Sequence, residues 1–98
     1  MEIRYRAGDP LVSHAEVALG QEIRITLEGS EAYGWSAPVA SGSLVLLDVG
    51  ESQGTVTARA LAGTGGEGEL RAASSFRGDR FGPQTRLWRL RVHVTERL

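Results

Sequence analysis

Apolar and polar residues alternate with a period of two along several stretches of this chain. Glu22-Ile23-Arg24-Ile25-Thr26-Leu27 places Ile23, Ile25 and Leu27 on one face. Thr55 to Leu61 does the same with Val56, Ala58 and Ala60. The longest run sets Trp88, Leu90, Val92 and Val94 against Arg89, Arg91 and His93. Successive side chains of a strand point to opposite faces, so this period predicts half-buried strands. Shorter candidates are Ile3–Arg6, Ala15–Leu19, Tyr33–Ala37, Leu44–Val49 and Glu69–Phe76. Turn-forming clusters separate them: Gly8-Asp9-Pro10, Glu28-Gly29-Ser30, Ser41-Gly42-Ser43, Gly63 to Gly68 and Gly78 to Pro83. No window carries an apolar stripe at helical spacing. The pattern predicts an all-β protein, an immunoglobulin-like antiparallel β-sandwich of seven to eight strands, as a single domain over residues 1–98.

A chain of 98 residues can bury one core without covalent staples. Cysteine is absent, which removes disulfides, thiolate metal sites and cysteine nucleophiles together. No apolar run exceeds five residues, so no membrane span is expected. The opening Met1-Glu2-Ile3-Arg4-Tyr5-Arg6 lacks the apolar stretch of a signal peptide, which points to a cytoplasmic protein unless a leader has been removed. The net charge of −1 offers no field for nucleic acid or an acidic membrane, so neither is expected as a partner. The charge is unevenly spread. Residues 1–70 hold four arginines against ten acids, and residues 71–98 hold seven against two. Such a division can mark a partner surface, but in a small sheet it more often belongs to strands of opposite charge that pair.

Little in the chain suggests catalysis. Gly63-Thr64-Gly65-Gly66-Glu67-Gly68 matches G-x-G-x-x-G, but strand-like residues follow it where a dinucleotide site needs a helix. It reads as a turn between strands. His14 and His93 are the only imidazoles, and two histidines without cysteine do not make a zinc site. Ser13 and its neighbour His14 would point to opposite faces of a strand, so they make no nucleophile–base pair. Glu28, Glu31, Asp48 and Glu51 fall in or near loops, where acids are common. Alternation puts Trp88 opposite Arg89 and Arg91, which argues against a basic–aromatic nucleic-acid strip. The expectation is a protein that is not an enzyme, with no cofactor and no metal, working through its loops.

One loop is unusual for its aromatic residues. Glu28-Gly29-Ser30-Glu31-Ala32-Tyr33-Gly34-Trp35 runs from a strand end through small residues into a Tyr-x-Trp pair. It resembles the first signature of the chagasin family of inhibitors of papain-like cysteine peptidases, N-P-T-T-G-[YF]-x-W. Tyr33 and Trp35 match the aromatic pair and Ser30-Glu31-Ala32 stand for T-T-G, while Glu28 and Gly29 replace Asn and Pro. The second signature, G-x-G-G, corresponds by position to Gly50-Glu51-Ser52-Gln53-Gly54; the closer string Gly63-Thr64-Gly65-Gly66 comes later in the chain. For the third, R-P-[WF], the chain offers Arg77, with Phe81 as a displaced aromatic.

The resemblance implies three loops at one end of the sandwich that occlude a peptidase cleft. Ser30, Glu31 and Ala32 would lie nearest the catalytic cysteine of the target. Tyr33 and Trp35 would share an inward face and anchor the loop, and Arg77 and Phe81 would clamp a flank. The implied partner is a papain-like cysteine peptidase, and the expected state is a monomer or weak homodimer. The alternative is an immunoglobulin-like interaction or structural module with no peptidase target.

Overall fold

The alternating stretches assemble into two facing sheets, with their apolar sides turned toward each other. A computed structural model describes residues 1–30, 32–76 and 86–96. Nine strands occur among them: β1 (Glu2–Tyr5), β2 (Val12–Ala18), β3 (Glu22–Leu27), β4 (Tyr33–Trp35), β5 (Val39–Gly42), β6 (Leu44–Ser52), β7 (Thr55–Ala62), β8 (Gly66–Phe76) and β9 (Arg86–Thr95). One sheet has the order β1-β3-β7-β6; the other has β2-β9-β8-β4, with β5 also paired to β8. The all-β sandwich matches the sequence pattern, and two of its details do not.

The first correction concerns strand number, nine rather than seven to eight. The added strand is β5, whose Val39-Ala40-Ser41-Gly42 is too short and too small to show a period. Pairing makes it a strand, with Val39 opposite Arg71 and Gly42 opposite Gly68. β4 and β5 occupy the same edge of β8 in succession. Between them stands Pro38, which has no N–H to offer a ladder. Ser36 bridges the gap: its N–H donates to the Ala73 carbonyl at 2.7 Å, and its Oγ accepts the Ala73 N–H at 2.9 Å.

The second correction concerns direction. β1 pairs with β3 and β2 with β9 in parallel, so the sandwich is not purely antiparallel. Parallel and antiparallel strands share the same side-chain period, so alternation cannot tell them apart. Chain path decides it, because the segment after β1 crosses to the other sheet and leaves both strands on outer edges. The chain crosses between sheets again at Gly42, where φ is 65° and a Cβ would strike the Glu67 carbonyl. Only glycine fits there, and it lets β5 of one sheet hand over to β6 of the other.

Ile23, Ile25, Leu27 and Val56 from the four-stranded sheet are buried with Leu70, Trp88, Leu90, Val92 and Val94 from its partner. Ala58, Ala60 and Ala72 fill the narrower gaps among them. The charge division resolves into surface pairs. Arg71, Arg89 and Arg91 surround Glu69, His93 Nδ1 lies 2.6 Å from Glu67 Oε1, and Arg4 and Arg6 both reach Glu28. On the opposite sheet Arg59 Nε donates to Asp48 Oδ2 at 2.8 Å. That hydrogen bond holds the Asp48 carboxyl below the usual carboxylate range.

Two measurements check this account. Ile25→Ala removes a fully buried side chain and lowers stability by about 2–5 kcal/mol, while Val45→Ala at an exposed position leaves the urea midpoint nearly unchanged. Because the folded Asp48 pKa is depressed, its contribution is present above the unfolded carboxylate pKa and disappears as pH falls through the lower folded value. Urea midpoints of the native chain and Asp48→Asn therefore converge in acid.

Candidate functional site

Several connections meet at the end of the sandwich where β3 closes on Leu27. There Tyr5, Leu27 and Val56 stand in register in one sheet, and Trp35, Ser74 and Arg86 stand in register in the other. The β3–β4 loop, the β6–β7 hairpin and the strand ends Phe76 and Arg86 all lie at this end. Ser30 and Ala32 fall in the first of these segments, with Tyr33 and Gly34 in β4 just after it; Gly50, Glu51, Ser52, Gln53 and Gly54 fall in the second. Glu31, Arg77 and Phe81 lie outside the described residues.

The hairpin turns on Gln53 and Gly54, whose φ values are 51° and 86°. Positive φ at both central residues is the tight two-residue turn that suits the twist of paired strands. Glu51 Oε1 accepts the Gly54 N–H at 2.9 Å and braces the turn from within.

This turn abuts the first loop backbone to backbone. A Cβ at Gly54 would fall on the Ser30 carbonyl, and one at Gly29 would fall on the Gly54 carbonyl. Glycine at both positions permits the approach. Hydrogen bonds then join the two segments. The Gly29 N–H donates to Thr55 Oγ1 at 3.1 Å, and the Trp35 N–H donates to the Gly54 carbonyl at 3.2 Å. The loop is also closed on itself, with the Ser30 N–H on the Tyr33 carbonyl at 2.9 Å and the Tyr33 N–H on Ser30 Oγ at 3.1 Å. The first two segments singled out in the sequence therefore form one continuous surface. The alternative glycine string, Gly63 to Gly66, joins β7 to β8 at the opposite end.

Trp35 secures the loop from beneath. Its ring is buried, packs edge-on to Tyr5 at 5.2 Å, and donates its Nε1–H to the Glu28 carbonyl at 3.0 Å. Tyr33 departs from the expectation of a shared buried face, because the residue is 41% exposed. β4 is only three residues long and Tyr33 sits at its outer end, past the last layer of the core. Arg86 links the two rings: its guanidinium carbon lies 5.5 Å from the Trp35 centroid and 6.0 Å from that of Tyr33. Cation–π attraction holds such an arrangement.

Sequence reasoning missed Thr55, Tyr5 and Arg86 as parts of this site and read Gly29 only as a replacement for the signature's proline. For Arg86 a signal existed, since alternation puts it on the same inward face as Trp88. For Gly29 the signal was hidden, because its need arises from a turn more than twenty residues away in sequence. His14 and His93 are on the outer face of the five-stranded sheet, not at this end. Among the described residues no group of three or more histidine or acidic side chains is arranged to hold a metal ion.

The fold has counterparts among solved structures. The solution structure of amebosin matches with a TM-score of 0.59 at 19% identity, covering 89% of this chain and 100% of amebosin. The crystal structure of the cysteine protease inhibitor EhICP2 from Entamoeba histolytica matches with a TM-score of 0.59 at 11% identity, again covering 89% of this chain and 100% of that one. At these identities the likeness is one of fold. It extends over most of the two-sheet sandwich. No model of a known protein family matches the sequence, and no curated protein matches it.

Two substitutions test the junction. Trp35→Ala removes a buried ring and lowers stability by about 3–5 kcal/mol. Gly54→Ala forces a side chain into positive φ against a carbonyl and lowers stability by at least about 1–2 kcal/mol. Urea midpoints measure both, with Ser30→Ala, an exposed position, expected to shift much less.

Proposed function

We propose that this protein is a reversible inhibitor of papain-like cysteine peptidases, and that the loop end of an immunoglobulin-like sandwich occludes the active-site cleft. The observation that carries the reading is the junction of the β3–β4 loop with the β6–β7 hairpin. Tyr-x-Trp and the glycine hairpin, which resemble two signatures of one inhibitor family, are fused here into a single braced edge. The fold shared with EhICP2, a cysteine protease inhibitor by its own description, supports the same conclusion.

Inhibition of this kind uses no chemistry on the inhibitor. A loop already held in its bound shape loses little conformational freedom on association, so more of the contact energy appears as affinity. The backbone bonds around Ser30, Tyr33, Trp35 and Gly54 supply that preorganisation. In this reading Ser30, Glu31 and Ala32 approach the target's catalytic cysteine. The Gly50–Gly54 hairpin covers one flank of the cleft, and Arg77 and Phe81 cover the other. Glu31 brings a charge where the family has threonine, and burying an unpaired carboxylate against a peptidase is costly.

Titration of several papain-like peptidases with the purified protein tests the reading. Inhibition that is relieved by excess substrate is expected, and Glu31→Thr is expected to tighten it without moving the urea midpoint. No inhibition of any of these enzymes at micromolar inhibitor removes the proposal. The second reading, an interaction module, draws on one observation: the edge strand β6 exposes Val45, Leu47 and Val49. A scattering mass that rises with concentration, without peptidase binding, would favour it.

A further inference from the structure

The outer face of the five-stranded sheet carries an open groove of about 470 Å3, bounded by β2, β9, β8 and the segment joining β4 to β5. Strand register explains what lines it. Val12, Arg89, Arg71 and Val39 stand in one row across β2, β9, β8 and β5, and Leu87 faces Ala73 in the next row. Leu87, Val39 and Val12 are 62%, 56% and 51% exposed, three of the four most exposed large apolar side chains among the described residues. Scattered apolar side chains on a surface need no explanation, but a cluster around one groove does.

The charges at this groove are unbalanced. Arg71 and Arg89 are directly opposite each other, a pairing that repels within a sheet. Together with Arg91 they share one carboxylate, Glu69, at Nε distances of 3.2, 3.4 and 3.6 Å. Arg91 stands beyond the groove, beside Glu16 and Glu67, so at the groove itself the Arg71 and Arg89 guanidiniums meet one carboxylate. Across the row the order is apolar, cationic, cationic, apolar, over about 14 Å at the usual strand spacing. A nucleic-acid backbone would match the arginines and leave Leu87 and Val39 uncovered. A fatty acid carries its one carboxylate at an end and cannot place apolar surface on both sides of it.

We propose that this groove docks an extended acidic peptide segment of a partner protein, whose carboxylates meet Arg71 and Arg89 while flanking leucine-like side chains cover Val12, Val39 and Leu87. Charge-assisted hydrogen bonds from guanidinium to carboxylate are stronger than neutral ones and set the position of the segment. The apolar flanks supply area removed from water. The groove is on the outer face of the sheet and begins beside the loop end, at Ser36, Ala73 and Leu87, but it uses none of the residues assigned to the peptidase-binding loops.

Amide chemical-shift mapping tests it with a short acetylated, amidated peptide in which two glutamates are flanked by leucines, beside its glutamine counterpart. The acidic peptide is expected to shift the amides of Ala73, Leu87 and Arg89 saturably, with affinity falling at least about tenfold for the glutamine peptide and for the double variant Arg71→Gln, Arg89→Gln. Leu87→Ser is expected to weaken binding while the spectrum stays that of the folded chain. Equal affinity for the two peptides overturns the proposal, as does the absence of shifts at these amides at millimolar peptide. Shifts at the same amides that depend on protein concentration alone would assign the groove to a second copy of this chain and also overturn it.

Discussion

The loop end depends on what Trp35 does with its two N–H groups. By pairing, Trp35 belongs to the five-stranded sheet, opposite Ser74 of β8. Its backbone N–H goes instead to Gly54, in a hairpin of the four-stranded sheet, and its indole N–H goes to Glu28, where β3 ends. One residue thus ties together both sheets and two loops. A buried indole needs a partner for its donor, and a loop carbonyl left facing the core needs one for its acceptor. Each meets the other's need here, which is why the loop lies close over the core.

This tie requires close approach, and close approach requires glycine. With side chains at Gly29 and Gly54 the two backbones could not come within hydrogen-bonding distance of each other's segments. The remaining order follows from that contact. Thr55 reaches Gly29, Ser30 and Tyr33 close the loop, and Arg86 lies against the two aromatic rings. An edge held mainly by backbone bonds, with Ser30 Oγ and Glu51 Oε1 as braces, keeps its shape largely without the other side chains it presents. Those side chains are then free to vary with whatever surface they meet.

The outer faces follow a different rule. Their charges pair across strands at exposed positions, where each pair contributes little to stability and is screened by salt. What such pairs determine is which surfaces are neutral and which keep an excess of one sign. On the four-stranded sheet Arg24 and Arg59 share Glu22 and Arg59 also meets Asp48, whereas on the five-stranded sheet Arg71, Arg89 and Arg91 converge on Glu69.

Alternation in Glu22–Leu27, Thr55–Leu61 and Trp88–Val94 was enough to establish an all-β sandwich and most of its inner face, because a period of two is a local property of the backbone. The Tyr-x-Trp loop was legible for the same reason, as consecutive residues of unusual type. Strand β5 was not, since Val39–Gly42 becomes a strand only by lying against β8. Nor was the parallel placement of β1 and β2, which depends on where the chain crosses between sheets. Tyr33 and Trp35 show the division most plainly. Their spacing put both rings on one face, but only the tertiary structure decided that the core ends between them. The need for Gly29 and Gly54 arose in the same way: it comes from two backbones meeting, and no single stretch of sequence contains both.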